Sequence, residues 1–412
     1  MTLSSTMSKR RGALRVLPLA LLAALAALAQ GAAHAAISDT LHPFVSLGYT
    51  HDDNLLRLPD GVPGLKGPRG DNMRQVQAGL LLERPIGRQK LTASAKVSRV
   101  TFDHYDQLDY NGKDFSADLA WQLGNHLDGH IGTTYNQTLT PFTDYHTDER
   151  NLRTQRRHYV DGGWRFHPSW RLRAGFSRYK YNYDLRAQSV NDRTEDLAEA
   201  GIDYLAPSGS RIGLVARKLK GKYQNPRLLN GRPAFGTSWD QDEIKANVYW
   251  LASGVTQVTL LAGWARRNYD FFPQRESSGL NGRVRVDWRP LGKLRFAAQG
   301  WREFAAVESA FFSNSLNRGG SLEGTWDISA KLQATASTRR DRRRFETLGG
   351  VALPTGDSGD AIRYNALGLM YAPQPSVQIG VNAFQERRTG NALVGTGSFK
   401  ANGVSVTASA QF

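Results

Sequence analysis

Three groups of side chains in this sequence could bind a ligand or take part in catalysis. They are the carboxylates of one predicted turn, the scattered histidines and the clustered lysines and arginines. Asp52, Asp53 and Asn54 follow one another and offer the oxygen ligands that Ca²⁺ prefers. They lack the spaced pattern of a calcium loop, and adjacent Asx residues favour a turn. The nine histidines are scattered, without a recognisable catalytic motif. Cysteine, a Gly-rich phosphate loop and a zinc motif are absent from the sequence. We therefore expect no enzyme, no metal and no cofactor.

The cations outnumber the acids, with 53 Lys and Arg against 37 Asp and Glu and a formal net charge of +16. Guanidinium groups bind phosphate and carboxylate bidentately, so we expect lipopolysaccharide or an acidic polysaccharide as the counter-ion. Nucleic acid would be the usual partner of a basic protein, but the export signal described below excludes it. The surplus is concentrated in three clusters, all expected in extracellular loops: Arg150, Arg153, Arg156 and Arg157; Lys218, Lys220 and Lys222; and Arg339, Arg340, Arg342, Arg343 and Arg344.

The first 35 residues have the pattern of a secretory signal. An apolar run from Val16 to Ala29 is followed by Ala33-His34-Ala35, which places small residues where a signal peptidase cleaves. The run is shorter than the roughly 20 residues of a membrane-spanning helix. We expect residues 1–35 to be cleaved, leaving residues 36–412 as one domain with a net charge of +12. The four cations that precede the run are Lys9, Arg10, Arg11 and Arg15.

The elements that must position the remaining side chains have a period of two. In Gly403 to Phe412, valine, alanine and phenylalanine alternate with serine, threonine and glutamine. One face of such a strand is apolar and the other is polar. Lipid on the first face and water on the second solvate both, which is the arrangement of a membrane β-barrel. The terminal Phe412 also resembles the C-terminal signal read by the barrel assembly machinery of bacterial outer membranes.

The pattern repeats along the chain and predicts an all-β, up-and-down antiparallel barrel of 18 strands, with 16 as the alternative. Eight short turns alternate with nine long loops, as periplasmic turns alternate with extracellular loops in outer-membrane barrels. We expect the last strand to pair with the strand around Val45 to Tyr49 and so remove both sheet edges. A soluble β-sandwich or propeller is the alternative fold, but it does not require this alternation of loops.

Aromatic residues lie beside the predicted short turns on the apolar face. Amphipathic rings prefer the membrane boundary, so we predict an aromatic girdle there. Its members are Trp121, Trp164, Trp170, Trp250, Trp288, Trp326 and Tyr371.

The polar face should line a lumen that is too wide for side chains to fill and therefore holds water. Aromatic side chains on this face could stack on sugar rings, and arginines could bind hydroxyl or acidic groups. Ion pairing between neighbouring strands and packing against an inward-folded loop are the alternative roles. The candidate contacts are Tyr159, Arg165, Arg171, Arg173, Tyr179, Tyr181, Tyr249, Arg283, Arg285, Arg295 and Trp301.

A family resemblance is carried by the end of the first strand. Its sequence includes Tyr49, Asp52, Asp53, Asn54, Leu55 and Arg57. This stretch resembles the opening of the EpsL-type exopolysaccharide biosynthesis barrels, although Leu56 stands where that family has Phe. The resemblance implies an outer-membrane barrel that helps a polysaccharide leave a Gram-negative cell, with periplasmic export partners.

Three functions follow as hypotheses. The first is a passive barrel for polysaccharide export, driven from the inner membrane because the chain has no nucleotide site. The second is an uptake porin for small oligosaccharides or anions. The third is a plugged barrel whose basic loops form an adhesin or docking surface.

Overall fold

The computed structural model describes residues 40–226, 228–229, 232–233, 237–270, 277–307, 314–345, 359–390 and 396–412. The expected signal peptide, residues 1–35, lies outside the described residues. Among those that are described, no helix has the length and hydropathy needed to cross a bilayer.

Eighteen long antiparallel strands form one sheet, and a two-residue hairpin, β10 with β11, stands apart. Two short 3₁₀ helices, η1 (Asp106–Leu108) and η2 (Arg186–Asn191), lie in connections between strands. The strands are β1 Leu41–Asp52, β2 Asp71–Ile86, β3 Gln89–Phe102, β4 Tyr110–Leu123, β5 Leu127–Leu139, β6 Leu152–His167, β7 Trp170–Tyr183, β8 Arg193–Leu205, β9 Arg211–Tyr223, β10 Leu228–Leu229, β11 Arg232–Pro233, β12 Ser238–Ser253, β13 Thr256–Tyr269, β14 Ser277–Leu291, β15 Leu294–Ala306, β16 Asn314–Asp327, β17 Leu332–Phe345, β18 Gly359–Gln374, β19 Val377–Thr389 and β20 Phe399–Gln411.

The sheet closes on itself through β1 and β20. Val45 lies opposite Ala410, and the pairing continues to Asp52 opposite Gly403. Each remaining long strand pairs with its neighbours along the chain, and β9 pairs with β12. The prediction of an 18-stranded closed barrel is confirmed, and so is the pairing of its first and last strands.

Short turns and long loops alternate as the sequence predicts. The β2–β3 and β4–β5 turns contain Gly87 at φ 62° and Gly124 at φ 60°, backbone conformations that glycine adopts without steric cost. The long connections include residues 53–70, 103–109, 140–151 and 184–192. The long connections that the structure describes therefore leave the barrel at one end, which we call the loop end.

The two faces of the sheet differ as predicted. Outward side chains such as Val76, Ile131 and Leu367 keep 52% to 67% of their surface exposed. Inward polar side chains such as Glu243 and Lys245 are buried and ion-paired, with Nζ of Lys245 2.9 Å from Oε2 of Glu243. A soluble sandwich would bury the apolar face instead, so the alternative fold is wrong.

The three basic clusters are placed differently from the prediction. Lys218, Lys220 and Lys222 lie within β9, and residues 339–344 lie within β17; of the first cluster only Arg150 lies in a loop. Because strand side chains alternate, residues 339–344 are divided between the two faces. Strands that extend beyond the lipid boundary carry these charges, and the sequence alone does not show how far a strand continues past its apolar stretch.

Candidate functional site: the lumen and its mouth

Loops fold inward and form a small apolar core at the mouth of the barrel. Leu56 from residues 53–70 and Leu108 from η1 are fully buried against Val100, an inward residue of β3. Tyr105 joins them, and its hydroxyl donates to the carbonyl of Pro68 at 2.9 Å. Packing apolar side chains inside an otherwise polar lumen holds these two loops against the wall formed by β1 to β5.

The β5–β6 loop crosses the mouth. Its Asp144 accepts two hydrogen bonds from Arg343 of β17, at 2.9 and 2.7 Å. Seven strands (β4, β3, β2, β1, β20, β19 and β18) lie between β5 and β17 around the barrel. The loop therefore spans the lumen to the far wall.

Two further side chains complete this contact. Arg388 of β19 donates to the carbonyl of Thr143 and lies 3.3 Å from Asp144. Asp360 of β18 accepts from both arginines, at 2.6 Å from Arg343 and 2.7 Å from Arg388. Two guanidinium groups thus meet two carboxylates in a compact, neutral cluster, with the side chains of Asp360 and Arg388 almost completely buried. We call Asp144, Arg343, Asp360 and Arg388 the latch.

Ionisation in the loop agrees with this packing. Burial tends to raise the pKa of Asp144, but hydrogen bonding and charge from Arg343 outweigh it, and the net pKa is lowered. The pKa of His146 is also lowered, by burial and by the nearby charge of Arg388. Nδ1 of His146 lies 3.0 Å from the carbonyl of Leu56, whereas its buried Nε2 has no partner in the described structure. The loop is built for an ionised Asp144 and a neutral His146.

The residues of the family-like motif form a turn at the seam between β1 and the last two strands. Asp52 accepts from the amide of Asn54 at 2.9 Å, as the Asx-turn interpretation predicts. Asn54 bonds both backbone groups of Leu58 and the carbonyl of Lys400 in β20. Arg57 pairs with Asp52 at 2.7 Å and with Glu386 of β19 at 2.8 Å.

Two details show how tightly this turn is held. Asp53 accepts from the amide and the side chain of Asn402, both at 2.7 Å. Arg57 has φ 55°, a left-handed conformation that is costly for a residue with a side chain and needs fixed surroundings. The motif therefore directs residues 53–70 into the lumen and ties the first strand to the last. Within the described ranges, no three acidic or histidine side chains gather as a metal site.

The wall formed by β6 to β9 carries an arginine-lined recess of about 420 Å³. Arg157, Arg171, Arg173 and Arg211 border it, and in each the Nε–H is buried without an acceptor in the described structure. Arg171 contacts Asp128, and Nε of Arg173 lies 3.6 Å from Asp203, which is too far for a hydrogen bond. Arg157 and Arg211 have no carboxylate partner among the described residues. Asp128, Asp161 and Glu199 also border the recess, so four arginines face three carboxylates and the net charge of the recess is slightly positive.

The aromatic candidates face the lumen but already have partners. The guanidinium carbon of Arg157 lies 4.3 Å from the ring centroid of Tyr159 and 5.2 Å from that of Tyr179. Arg193 covers Tyr181 at 3.9 Å.

Trp301 and Tyr249 are engaged in the same way. Trp301 is buried, donates to Asp341 at 2.8 Å and contacts Arg339 and Arg283 through its ring. The hydroxyl of Tyr249 lies 3.2 Å from the amide oxygen of Gln257. These contacts favour a rigid lumen wall, and the sugar-stacking track stays a prediction.

The remaining candidate arginines are separated along the wall. Arg283 pairs with Glu303 at 2.8 Å, Arg285 with Asp287 at 2.6 Å and Arg295 with Asp327 at 3.1 Å. Arg165 is exposed near the β6–β7 turn. For the three paired residues, ion pairing is the observed role, and the structure does not bring them together with the recess.

Each of the seven predicted girdle residues lies within three residues of the short-turn end of its strand. All except the half-buried Trp121 expose 39% to 53% of their surface. Between this level and the loop end, the outward positions form an apolar band. A closed barrel with such a band and a polar lumen is stable only in a bilayer. The protein is an outer-membrane β-barrel.

No protein-family model matches the sequence, and no curated protein sequence matches it. Among solved structures, the chain is similar to the outer membrane protein OpdK of Pseudomonas aeruginosa, at 12% identity and a TM-score of 0.48 over 91% of this chain and 99% of that one. OccAB3 of Acinetobacter baumannii is 9% identical, with a TM-score of 0.48 over 91% of this chain and 99% of that one. P. aeruginosa OccK2, solved with glucuronate, is 11% identical, with a TM-score of 0.48 over 90% of this chain and 98% of that one. None of these comparisons supports the resemblance to EpsL-type barrels.

Sequence reasoning missed the latch. Asp144 lies in a polar loop and Asp360 and Arg388 near strand ends, and nothing in their spacing links the three. The sequence analysis predicts that Arg343 lies in an extracellular loop, whereas it lies within β17. Strand alternation could have shown that Arg343 faces the lumen, opposite in direction to Arg342 and Arg344.

Proposed function

We propose that the chain is a porin that admits small, hydrophilic, acidic solutes through the outer membrane. In this proposal residues 36–412 form the barrel after residues 1–35 have been removed. The observation that carries it is the arginine-lined recess, where Arg157 and Arg211 have no carboxylate partner among the described residues and are suited to a carboxylate or phosphate of the solute. The inward-folded loops and the latch support the restriction to small solutes, since they narrow the mouth.

Ion selectivity of single channels in planar bilayers tests this proposal. The purified barrel should conduct and prefer anions under a salt gradient. Replacing Arg157 and Arg211 together by Gln should lower the anion-to-cation permeability ratio roughly fivefold, because one charge at ~4 Å in water is worth about 1 kcal/mol.

The matched control is Arg295→Gln, another inward arginine, whose charge is already neutralised by Asp327. It should leave selectivity close to that of the wild-type barrel. A barrel without conductance would favour the plugged barrel with a docking surface, and an unchanged permeability ratio in the double variant would contradict the role of the recess.

The second candidate function is polysaccharide export, which the motif from Tyr49 to Arg57 favours through its resemblance. Export requires a polymer to thread the lumen past the latch. Polymer added to a conducting channel should then block it at far lower sugar concentration than a monosaccharide does. Replacing Tyr179, Tyr181 and Tyr249 together by Ala should reduce secretion while the barrel still assembles, and unchanged secretion would exclude an aromatic track.

A further inference from the structure

One flank of the outer surface carries cations that have no carboxylate beside them. On β16 to β20 the outward positions change from apolar to basic towards the loop end. In β18 they run from Tyr371 through Leu369 and Leu367 to Arg363. In β16 they run from Trp326 through Leu322 to Arg318. The same change occurs on each strand of this flank.

The height of these cations follows from strand geometry. Arg363 is eight residues from Tyr371, and Arg318 is eight residues from Trp326. Eight residues span about 26 Å along a strand, or about 20 Å along the membrane normal at a tilt of ~40°. The apolar band of such barrels is about 25 Å tall. The Cα atoms of these cations therefore lie about 5 Å inside the outer edge of the band, and their long side chains reach from there to the headgroups of the outer leaflet.

The pairing registers place these cations beside one another in two rows. Arg318 lies opposite Arg342. In the other row, Arg340 lies opposite Arg363, Arg363 opposite Arg387 and Arg387 opposite Lys400. Neighbouring strands are about 4.8 Å apart, and like charges directly opposite destabilise a sheet. We call these six residues the cationic array.

The described residues of β15 to β20 supply no outward carboxylate to balance this charge. Their acidic side chains all face the lumen, where Asp341, Asp360 and Glu386, for example, already have cationic partners. No described residue forms an ion pair with a member of the array. The array thus concentrates six positive charges without an internal counter-ion.

Elsewhere around the barrel several outward cations have a carboxylate beside them, although Arg156 and Lys180, which lie opposite each other on β6 and β7, have none among the described residues. Arg178 pairs with Asp196 at 2.7 Å, Lys218 with Asp242 at 3.1 Å and Arg74 with Asp103 at 2.8 Å. Lys220 lies opposite both Asp196 and Asp240 in the pairing registers. Among the described residues, the largest group of facing cations without a carboxylate therefore lies on the flank from β16 to β20.

We propose that the cationic array binds the phosphate groups of a phosphorylated glycolipid, lipopolysaccharide, in the outer leaflet. A guanidinium donates two parallel hydrogen bonds to phosphate, so two rows of cations match a headgroup with two separated phosphates. The bound anions remove the repulsion within the rows. The apolar outward residues below, such as Leu322 and Leu367, then contact the acyl chains.

The test measures binding of lipid A with two phosphates to the detergent-refolded full barrel by native mass spectrometry. The array variant is Arg318→Gln with Arg340→Gln, Arg363→Gln and Arg387→Gln. The control removes four outward charges that have a carboxylate beside them: Arg74→Gln, Arg178→Gln, Lys218→Gln and Lys220→Gln. We expect wild type and control to bind alike and the array variant to bind at least about tenfold more weakly, since charge-assisted contacts are lost.

Other probes separate the sources of phosphate. Dephosphorylated lipid A should bind weakly to all three proteins, and millimolar inorganic phosphate should not displace the lipid. Equal weakening of the control and array variants, equally tight phosphatidylglycerol binding, or displacement by inorganic phosphate would each overturn the proposal.

A second readout does not need the lipid. Because repulsion between the cations of the array is removed, the lipid-free array variant should unfold at a higher temperature than the lipid-free wild type. The measurement is the temperature at which the band of the folded barrel disappears in detergent gels. If the fourfold variant does not assemble, the same two measurements are made on the single variant Arg363→Gln, which lies within the longer row. Unchanged lipid A binding together with an unchanged unfolding temperature would overturn the proposal.

Discussion

Arg343 on β17 holds Asp144 of the β5–β6 loop with two hydrogen bonds, although seven strands separate β17 from β5 around the barrel. The pair is not isolated, since Arg388 and Asp360 neutralise it within the lumen. A buried ion pair contributes little net stability when both partners are present, but leaving one partner alone is costly. The main effect of the latch is therefore to fix the position of the β5–β6 loop across the mouth, and not to stabilise the barrel.

Releasing the latch should open the mouth. In Asp144→Asn, Asp360 is the one carboxylate among the described residues that still pairs with Arg343 and Arg388, and the docked loop loses about 3 kcal/mol, the cost of breaking a buried pair. Single-channel conductance should rise and fluctuate, while the barrel remains folded. Asp148→Asn is the control, because Asp148 lies in the same loop and its partners among the described residues are the exposed Lys66 and Gln107. Equal conductance in both variants would contradict the latch.

Acidification on the loop side should loosen the same loop through His146. Its pKa in the docked loop lies below the ordinary value of about 6.5, so undocking takes up a proton, and docking weakens as pH falls below that value. Protonation adds a proton to the buried Nε2, which has no acceptor among the described residues. Asp144 behaves differently, since its lowered pKa keeps it ionised until pH falls below about 4.

Conductance recorded between pH 7 and pH 5 measures this effect. It should rise in wild type and stay level in His146→Asn, whose amide can still donate to the carbonyl of Leu56. His126→Asn, at a short turn on the other side of the membrane, should keep the wild-type response. A pH response that survives in His146→Asn would assign it to another group.

The barrel could be predicted from sequence because apolar and polar residues alternate within each strand. Outward residues such as Val404 alternate with inward ones such as Ser405 over the whole chain, and a closed sheet is the arrangement in a bilayer that leaves no edge unpaired. The latch could not be predicted in this way. Asp144 and Arg343 are 199 residues apart, and their contact depends on the path of a loop, which has no period.

Removing the side chain of Asn54 should weaken the seam of the barrel. Asn54 makes three side-chain hydrogen bonds, two to the backbone of Leu58 and one to that of Lys400. At about 1 kcal/mol each, Asn54→Ala should cost about 3 kcal/mol. The temperature at which the folded band disappears in detergent gels should fall. Asp60→Ala, at an exposed position of the same loop, should not change it, and equal shifts in both variants would contradict a specific role for Asn54.

A series of arginines along β17 should map the lipid boundary and test the girdle level. Ala336 faces outward and is exposed, at a register between Gly324 and Leu367 in the apolar band. Ala336→Arg should cost about 2–4 kcal/mol, the cost of arginine near the bilayer midplane. Leu332 lies opposite Tyr371, at the girdle level, where the charge itself should cost about 0–1 kcal/mol. Ser337 faces the lumen opposite Glu323, so Ser337→Arg should not measurably change the free energy of unfolding.

Urea unfolding in lipid vesicles gives the free energy of unfolding for the three variants. A cost at Leu332 equal to that at Ala336 would place the boundary nearer the short turns than the girdle, and a high cost at Ser337 would contradict a wet lumen on this wall.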